Sequence, residues 1–71
     1  MNIAILGSTG SIGNSTLEVV RQNKQNFSIN LLTAKKNHEL LLEQSEEFKP
    51  NFVYLEDEQA RKIFKENALR K

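Results

Sequence analysis

Cysteine is absent from these 71 residues, proline occurs once, and only three glycines are present. Without cysteine there is neither a disulfide framework nor a thiolate metal site. Ten basic and nine acidic residues leave a formal charge of +1. That balance supplies no field for holding nucleic acid or an anionic membrane surface. No apolar run approaches the ~20 residues that span a bilayer. Neither a secretory leader nor an Arg/Ser-rich transit segment stands ahead of the first apolar run, so a cytoplasmic setting is expected. A chain this short buries only ~60% of its unfolded surface and has room for at most one small domain.

What the chain does contain is ordered. Asn2 to Leu6 is an apolar run that reads as a strand buried on both faces, as parallel strands are. Ser11 to Asn23 has helical spacing, with Ile12, Thr16, Val19 and Val20 on the inner face and Leu17 beside it. Ser28 to Ala34 is a second strand. Lys35-Lys36-Asn37 is a turn, and Asn37 is suited to cap the helix His38 to Phe48. That helix carries Leu41, Ser45 and Phe48 inward, with Leu40 and Leu42 widening the stripe. The single proline, Pro50, disfavours helical backbone at Lys49 and stops it. Asn51 to Leu55 is a third strand, with Tyr54 in the core. Asp57 can cap a last helix whose inner face is Ala60, Ile63, Phe64 and Ala68. The order βαβαβα predicts an α/β fold with a parallel sheet and right-handed crossovers.

All three glycines fall in Gly7-Ser8-Thr9-Gly10-Ser11-Ile12-Gly13, between the first strand and the first helix. A diphosphate reaches backbone N–H groups only where no Cβ intervenes, and a helix N-terminus supplies free donors and partial positive charge. Gly7 starts the turn, Gly10 admits the phosphate, and Gly13 lets the helix pack closely. Thr9 and Ser11 add hydroxyls. The spacing is G-x-x-G-x-x-G rather than the commoner G-x-G-x-x-G. The expected architecture is therefore the N-terminal half of a Rossmann-type dinucleotide-binding domain. In the strand order 3-2-1-4-5-6, strands 1 and 3 would be the edges of this half. An unpaired strand 1 is an association hazard, which suggests a piece of a longer protein.

Where NAD-preferring sites carry a carboxylate after the second strand, this chain reads Thr33-Ala34-Lys35-Lys36-Asn37. Two ammonium groups suit a 2′-phosphate, which favours NADP. Other candidates are weaker. His38 reads as an exposed or capping histidine. Glu56-Asp57-Glu58 reads as carboxylates drawn to a helix start rather than a metal cluster. Glu46 and Glu47 read as a solvated face.

Gly7 to Arg21, Gly-Ser-Thr-Gly-Ser-Ile-Gly-Asn-Ser-Thr-Leu-Glu-Val-Val-Arg, resembles the N-terminus of the 1-deoxy-D-xylulose 5-phosphate reductoisomerase family. Ala34-Lys35-Lys36-Asn37 and Phe48-Lys49-Pro50 resemble its second and third βα units. The resemblance implies an NADPH-dependent enzyme that isomerises and reduces a sugar phosphate in non-mevalonate isoprenoid biosynthesis. It implies a divalent metal (magnesium, manganese or cobalt) and a homodimer when full length. It places cofactor contacts at Thr9, Gly10, Ser11, Ile12, Lys35, Lys36 and Asn37. Lys35 departs from the small residue common in the family, so a backbone of positive φ would not suit it. Residues 1–71 would be part of an NADPH-binding domain, inert alone, with metal and catalytic residues outside this chain. Two other readings stay open: another NADP-dependent reductase, such as a semialdehyde dehydrogenase, and a small self-sufficient nucleotide-binding module.

Overall fold

The computed structural model describes residues 1–69. Its elements run β1 (Asn2–Ile5), α1 (Ser11–Gln22), β2 (Ser28–Ala34), α2 (His38–Phe48), β3 (Phe52–Leu55) and α3 (Glu58–Leu69). The expected βαβαβα order is therefore present, and the strands form one parallel sheet in the order β1-β2-β3. As expected, β1 and β3 are its edges. Between Ile3 and Ala4 the register against β2 slips by one residue at Asn30.

Ile5, Leu32, Ala34 and Leu55 of the sheet pack against Leu17 and Val20 of α1, Leu41 of α2 and Ala60 of α3 in one core. The helices are bounded by different devices. Asn37 caps α2, its side chain accepting from Leu40 N–H at 3.1 Å. Asp57 Oδ2 accepts from Ala60 N–H at 2.9 Å at the start of α3. At its other end α2 stops at Lys49, which stands in the left-handed region at φ 49° just ahead of Pro50.

Five packing expectations need correction. The buried stripe of α1 is Gly13, Leu17 and Val20, whereas Ile12 is 85% exposed and Val19 55%. The helix is rotated because Gly13 must face the loop: a Cβ there would lie 2.3 Å from Gly7 O. On α2 the inward polar residue is Gln44 rather than the half-buried Ser45. Tyr54 is half exposed, and Ile63 and Ala68 of α3 are exposed. Finally, β1 is not buried on both faces: Asn2 and Ala4 are exposed and Leu6 lies beyond the strand, because the core covers one side only.

Candidate functional site

Parallel strands bring all three strand-to-helix loops to one end of the sheet, the end where α/β folds bind ligands. The first loop makes its turn at Gly7, φ +70°, a backbone that only glycine adopts without strain. Gly10 N–H donates to Gly7 O at 3.0 Å, and Gly10 then serves as N-cap of α1. Having no side chain, it gives no side-chain cap, and the first turn of α1 carries no acidic residue. Asn37 and Asp57 satisfy first-turn amides in the other two helices. The N-terminus of α1 is thus left uncapped by any side chain. A helix start of this kind offers N–H donors and partial positive charge to an anion.

The loop is held from below. Gly7 N–H donates to Thr33 Oγ1 at 2.9 Å and Ser8 N–H to Thr33 O at 2.8 Å. Ser8 is fully buried, and its hydroxyl donates to Gln44 Oε1 at 2.7 Å. Gln44 Nε2 donates in return to Ser8 O at 2.9 Å and to Asn14 Oδ1 at 3.1 Å. A residue of α2 therefore fixes the backbone of the glycine loop. Ser8, Asn14, Thr33 and Gln44 were not anticipated as site residues. The available signal was a glutamine one turn after Leu41 and one before Phe48, on the apolar side of its helix.

Thr9, Gly10, Lys35, Lys36 and Asn37 line one cleft of about 340 Å³ together with Gly7. The glycine loop and the lysine turn, separated in sequence by the whole of α1 and β2, thus face each other. Ser11 and Ile12 do not line this cleft. Their side chains lie on the outer side of α1 with Ser15, Thr16 and Val19. Only their first-turn amides belong to the helix start beside Gly10. Both lysines are exposed. Lys35 is not in the left-handed region; among the described residues Lys49 is the one non-glycine with positive φ. Its departure from a small residue therefore imposes no backbone strain. The neighbouring loop supports this turn: Glu56 N–H donates to Ala34 O at 3.0 Å and Asp57 N–H to Lys35 O at 2.9 Å.

The weaker candidates are placed as follows. His38 opens α2, half-buried, with its Nδ1 buried and unpartnered. Asp57 caps α3, while Glu56 and Glu58 are exposed. Among the described residues no three His, Cys, Asp or Glu side chains are grouped to hold a metal ion. Glu47 is more than a solvated residue: it accepts from Arg21 Nη2 at 2.8 Å and also from Arg21 Nε. Arg21 bonds Glu18 as well. The guanidinium's hydrogen bonds hold the Glu47 carboxyl below the usual carboxylate range against some desolvation, and the same pairing raises Arg21. No helix among the described residues is long and apolar enough to cross a membrane.

Comparison with known proteins fits this geometry. The profile of the 1-deoxy-D-xylulose 5-phosphate reductoisomerase family matches residues 3–71. The chain is 51% identical over 65 residues to the 1-deoxy-D-xylulose 5-phosphate reductoisomerase of Glaesserella parasuis, covering 92% of this chain and 16% of that protein. It is 47% identical over 68 residues to the Haemophilus influenzae protein of the same name, covering 96% of this chain and 17% of that protein. The Porphyromonas gingivalis protein of that name is 45% identical over 65 residues. The chain thus spans about one-sixth of the length of the curated relatives it matches. On the family profile, these identities and the parallel α/β fold, the chain belongs to the 1-deoxy-D-xylulose 5-phosphate reductoisomerase family.

Proposed function

We propose that residues 1–71 are part of the NADPH-binding domain of a 1-deoxy-D-xylulose 5-phosphate reductoisomerase. The observation that carries this is the cleft in which the uncapped start of α1 meets Lys35 and Lys36. In this reading the first-turn amides of Ser11 and Ile12, with Thr9 and Gly10, take the diphosphate. Gly10 fits the role because a side chain there would stand between anion and helix. Lys35 and Lys36 take the 2′-phosphate, and Asn37 completes the turn while it caps α2.

Bound NADPH supplies the hydride that reduces the rearranged sugar phosphate to 2-C-methyl-D-erythritol 4-phosphate, in non-mevalonate isoprenoid synthesis. This chain's own residues bind and orient the cofactor; among the described residues no three His, Cys, Asp or Glu side chains are grouped to hold a metal ion. The divalent metal (magnesium, manganese or cobalt), the sugar-phosphate contacts and the homodimer belong to the whole cytoplasmic enzyme, and the 71 residues alone are catalytically inert.

The test places this chain in the Haemophilus influenzae protein in exchange for the matching segment and titrates both reduced cofactors by calorimetry. NADPH should bind at least tenfold more tightly than NADH, a difference of about 1.4 kcal/mol. Replacing both Lys35 and Lys36 by alanine should erase that preference. Equal affinity for the two cofactors in the unsubstituted chimera would refute the role given to the lysines.

A further inference from the structure

Gln44 is a polar residue of α2 left only 4% exposed, and it does not line the cleft. Apolar packing does not call for it, since Leu41 one turn earlier is fully buried with no polar group. A buried carboxamide is costly unless its acceptor and both its donors are paired. Here all three are used. Oε1 accepts from the Ser8 hydroxyl, while Nε2 donates to Ser8 O and to Asn14 Oδ1. Asn14 passes the polarity on, its Nδ2 donating to Thr9 O at 3.3 Å. The direction of this relay is fixed, because the carbonyls of Ser8 and Thr9 can only accept.

Both peptide planes that flank Thr9 are held in this way. The Ser8–Thr9 peptide is pinned at Ser8 O by Gln44. The Thr9–Gly10 peptide is pinned at Thr9 O by Asn14 and at Gly10 N–H by Gly7 O. In a trans peptide the N–H points opposite to the C=O. With Ser8 O turned toward Gln44, the Thr9 N–H is turned away from it. Among the described residues that N–H has no hydrogen-bond partner, and Thr9 lines the cleft. A buried carboxamide of α2 thus sets the direction of a free donor in the glycine loop. An ionised carboxylate at this position would have nothing to donate to Ser8 O, and an aliphatic side chain would neither donate nor accept.

We propose that Gln44 is a positioning residue for the cofactor: without touching it, the Gln44 carboxamide holds the peptides around Thr9 so that the free amides of the loop meet the diphosphate. The inference rests on the cofactor reading of this cleft. It assigns Gln44 to the diphosphate half alone. The lysine turn is held by other bonds, from Glu56 N–H to Ala34 O and from Asp57 N–H to Lys35 O.

The experiment uses the chimera with the Haemophilus influenzae protein and two ligands. NADPH engages both halves of the cleft, whereas adenosine 2′-monophosphate has no diphosphate and engages the lysine turn alone. Calorimetry on Gln44→Leu should show NADPH bound about tenfold more weakly, the share of one hydrogen bond to a charged group. The affinity for adenosine 2′-monophosphate should stay that of the parent. Ser8→Ala combined with Gln44→Leu removes the orphaned hydroxyl, so the Tm should rise while NADPH binding stays weak; this double variant carries the test where the single one does not fold. A general loss of structure would instead weaken both ligands together, and that result would overturn the proposal. So would parental NADPH affinity in either folded variant, or NADPH affinity that returns in step with the Tm. An unsubstituted chimera that binds no NADPH would remove the cofactor reading and this inference with it. A chimera that binds NADPH equally well with and without Gln44 would remove this inference only.

Discussion

The three glycines differ in what asks for them. Gly7 is required by its positive φ and Gly13 by contact, whereas at Gly10 a Cβ would meet only Gly7 O at 3.4 Å, so glycine there is called for by the proposed anion site and not by the fold. A Cβ on Gly13 would meet Gly7 O at 2.3 Å and Ser8 Cα at 2.6 Å, both backbone atoms that cannot swing aside. Gly13→Ala gains about 1 kcal/mol of helix propensity but must push α1 off the loop. A net loss of about 1–3 kcal/mol is expected, the usual cost of overpacking, and chemical denaturation will measure it. Gly10→Val should behave oppositely: circular dichroism stays near that of the parent, while NADPH binding in the chimera is lost. Gln44 makes a third case. Replacing it with leucine leaves the buried Ser8 hydroxyl without its partner, which costs about 1–3 kcal/mol. Gln44→Leu combined with Ser8→Ala should recover part of that loss in a double-mutant cycle. The glycine motif was legible in the sequence because it is local. The Ser8–Gln44 pair was not, because it joins residues 36 apart and depends on how α2 lies against the loop.

At the scale of elements, boundaries were read well and faces less well. The extents of β2 and α2, and the capping roles of Asn37 and Asp57, follow from short-range signals: a β-branched and apolar run, a cap, a proline. The rotation of α1 does not follow from hydrophobicity, since Ile12 and Val19 are as apolar as Leu17 and Val20. It is set by Gly13, whose missing side chain is itself the contact surface. Tyr54 was misplaced because alternation along β3 needs knowledge of which sheet face is covered. The left-handed Lys49 gives an element-level prediction. Lys49→Gly relieves a backbone that costs an L-residue about 1–2 kcal/mol. After the extra unfolded-state entropy of glycine, a gain of about 0.5–1 kcal/mol is expected, seen as a Tm higher by a few degrees. The pairing of α1 with α2 through Arg21 and Glu47 makes stability depend on pH. Because the folded carboxyl is more acidic than the unfolded one, its contribution is complete above the ordinary glutamate pKa. It is lost as pH falls through the depressed native value. Thermal melts of Glu47→Gln should therefore show a shallower acid limb than the parent, and added salt should narrow the difference.

For the whole molecule, alternation of strands and helices made the parallel sheet and its 1-2-3 order legible, since right-handed crossovers leave few alternatives. The single-sided core was not legible, because composition does not say which layers are present. The candidate site follows from topology: parallel strands put Gly7–Gly10 and Lys35–Asn37 at one end, so residues far apart in sequence share a cleft. In the proposed function this cleft holds the phosphates of NADPH. An amide-resolved NMR titration of the 71-residue chain with NADPH tests it most directly. The amides of Gly10, Ser11 and Ile12 should shift together with those of Lys35, Lys36 and Asn37, along one saturating curve. A spectrum in which both groups stay unmoved at saturating NADPH, or in which only residues away from the cleft respond, would contradict it.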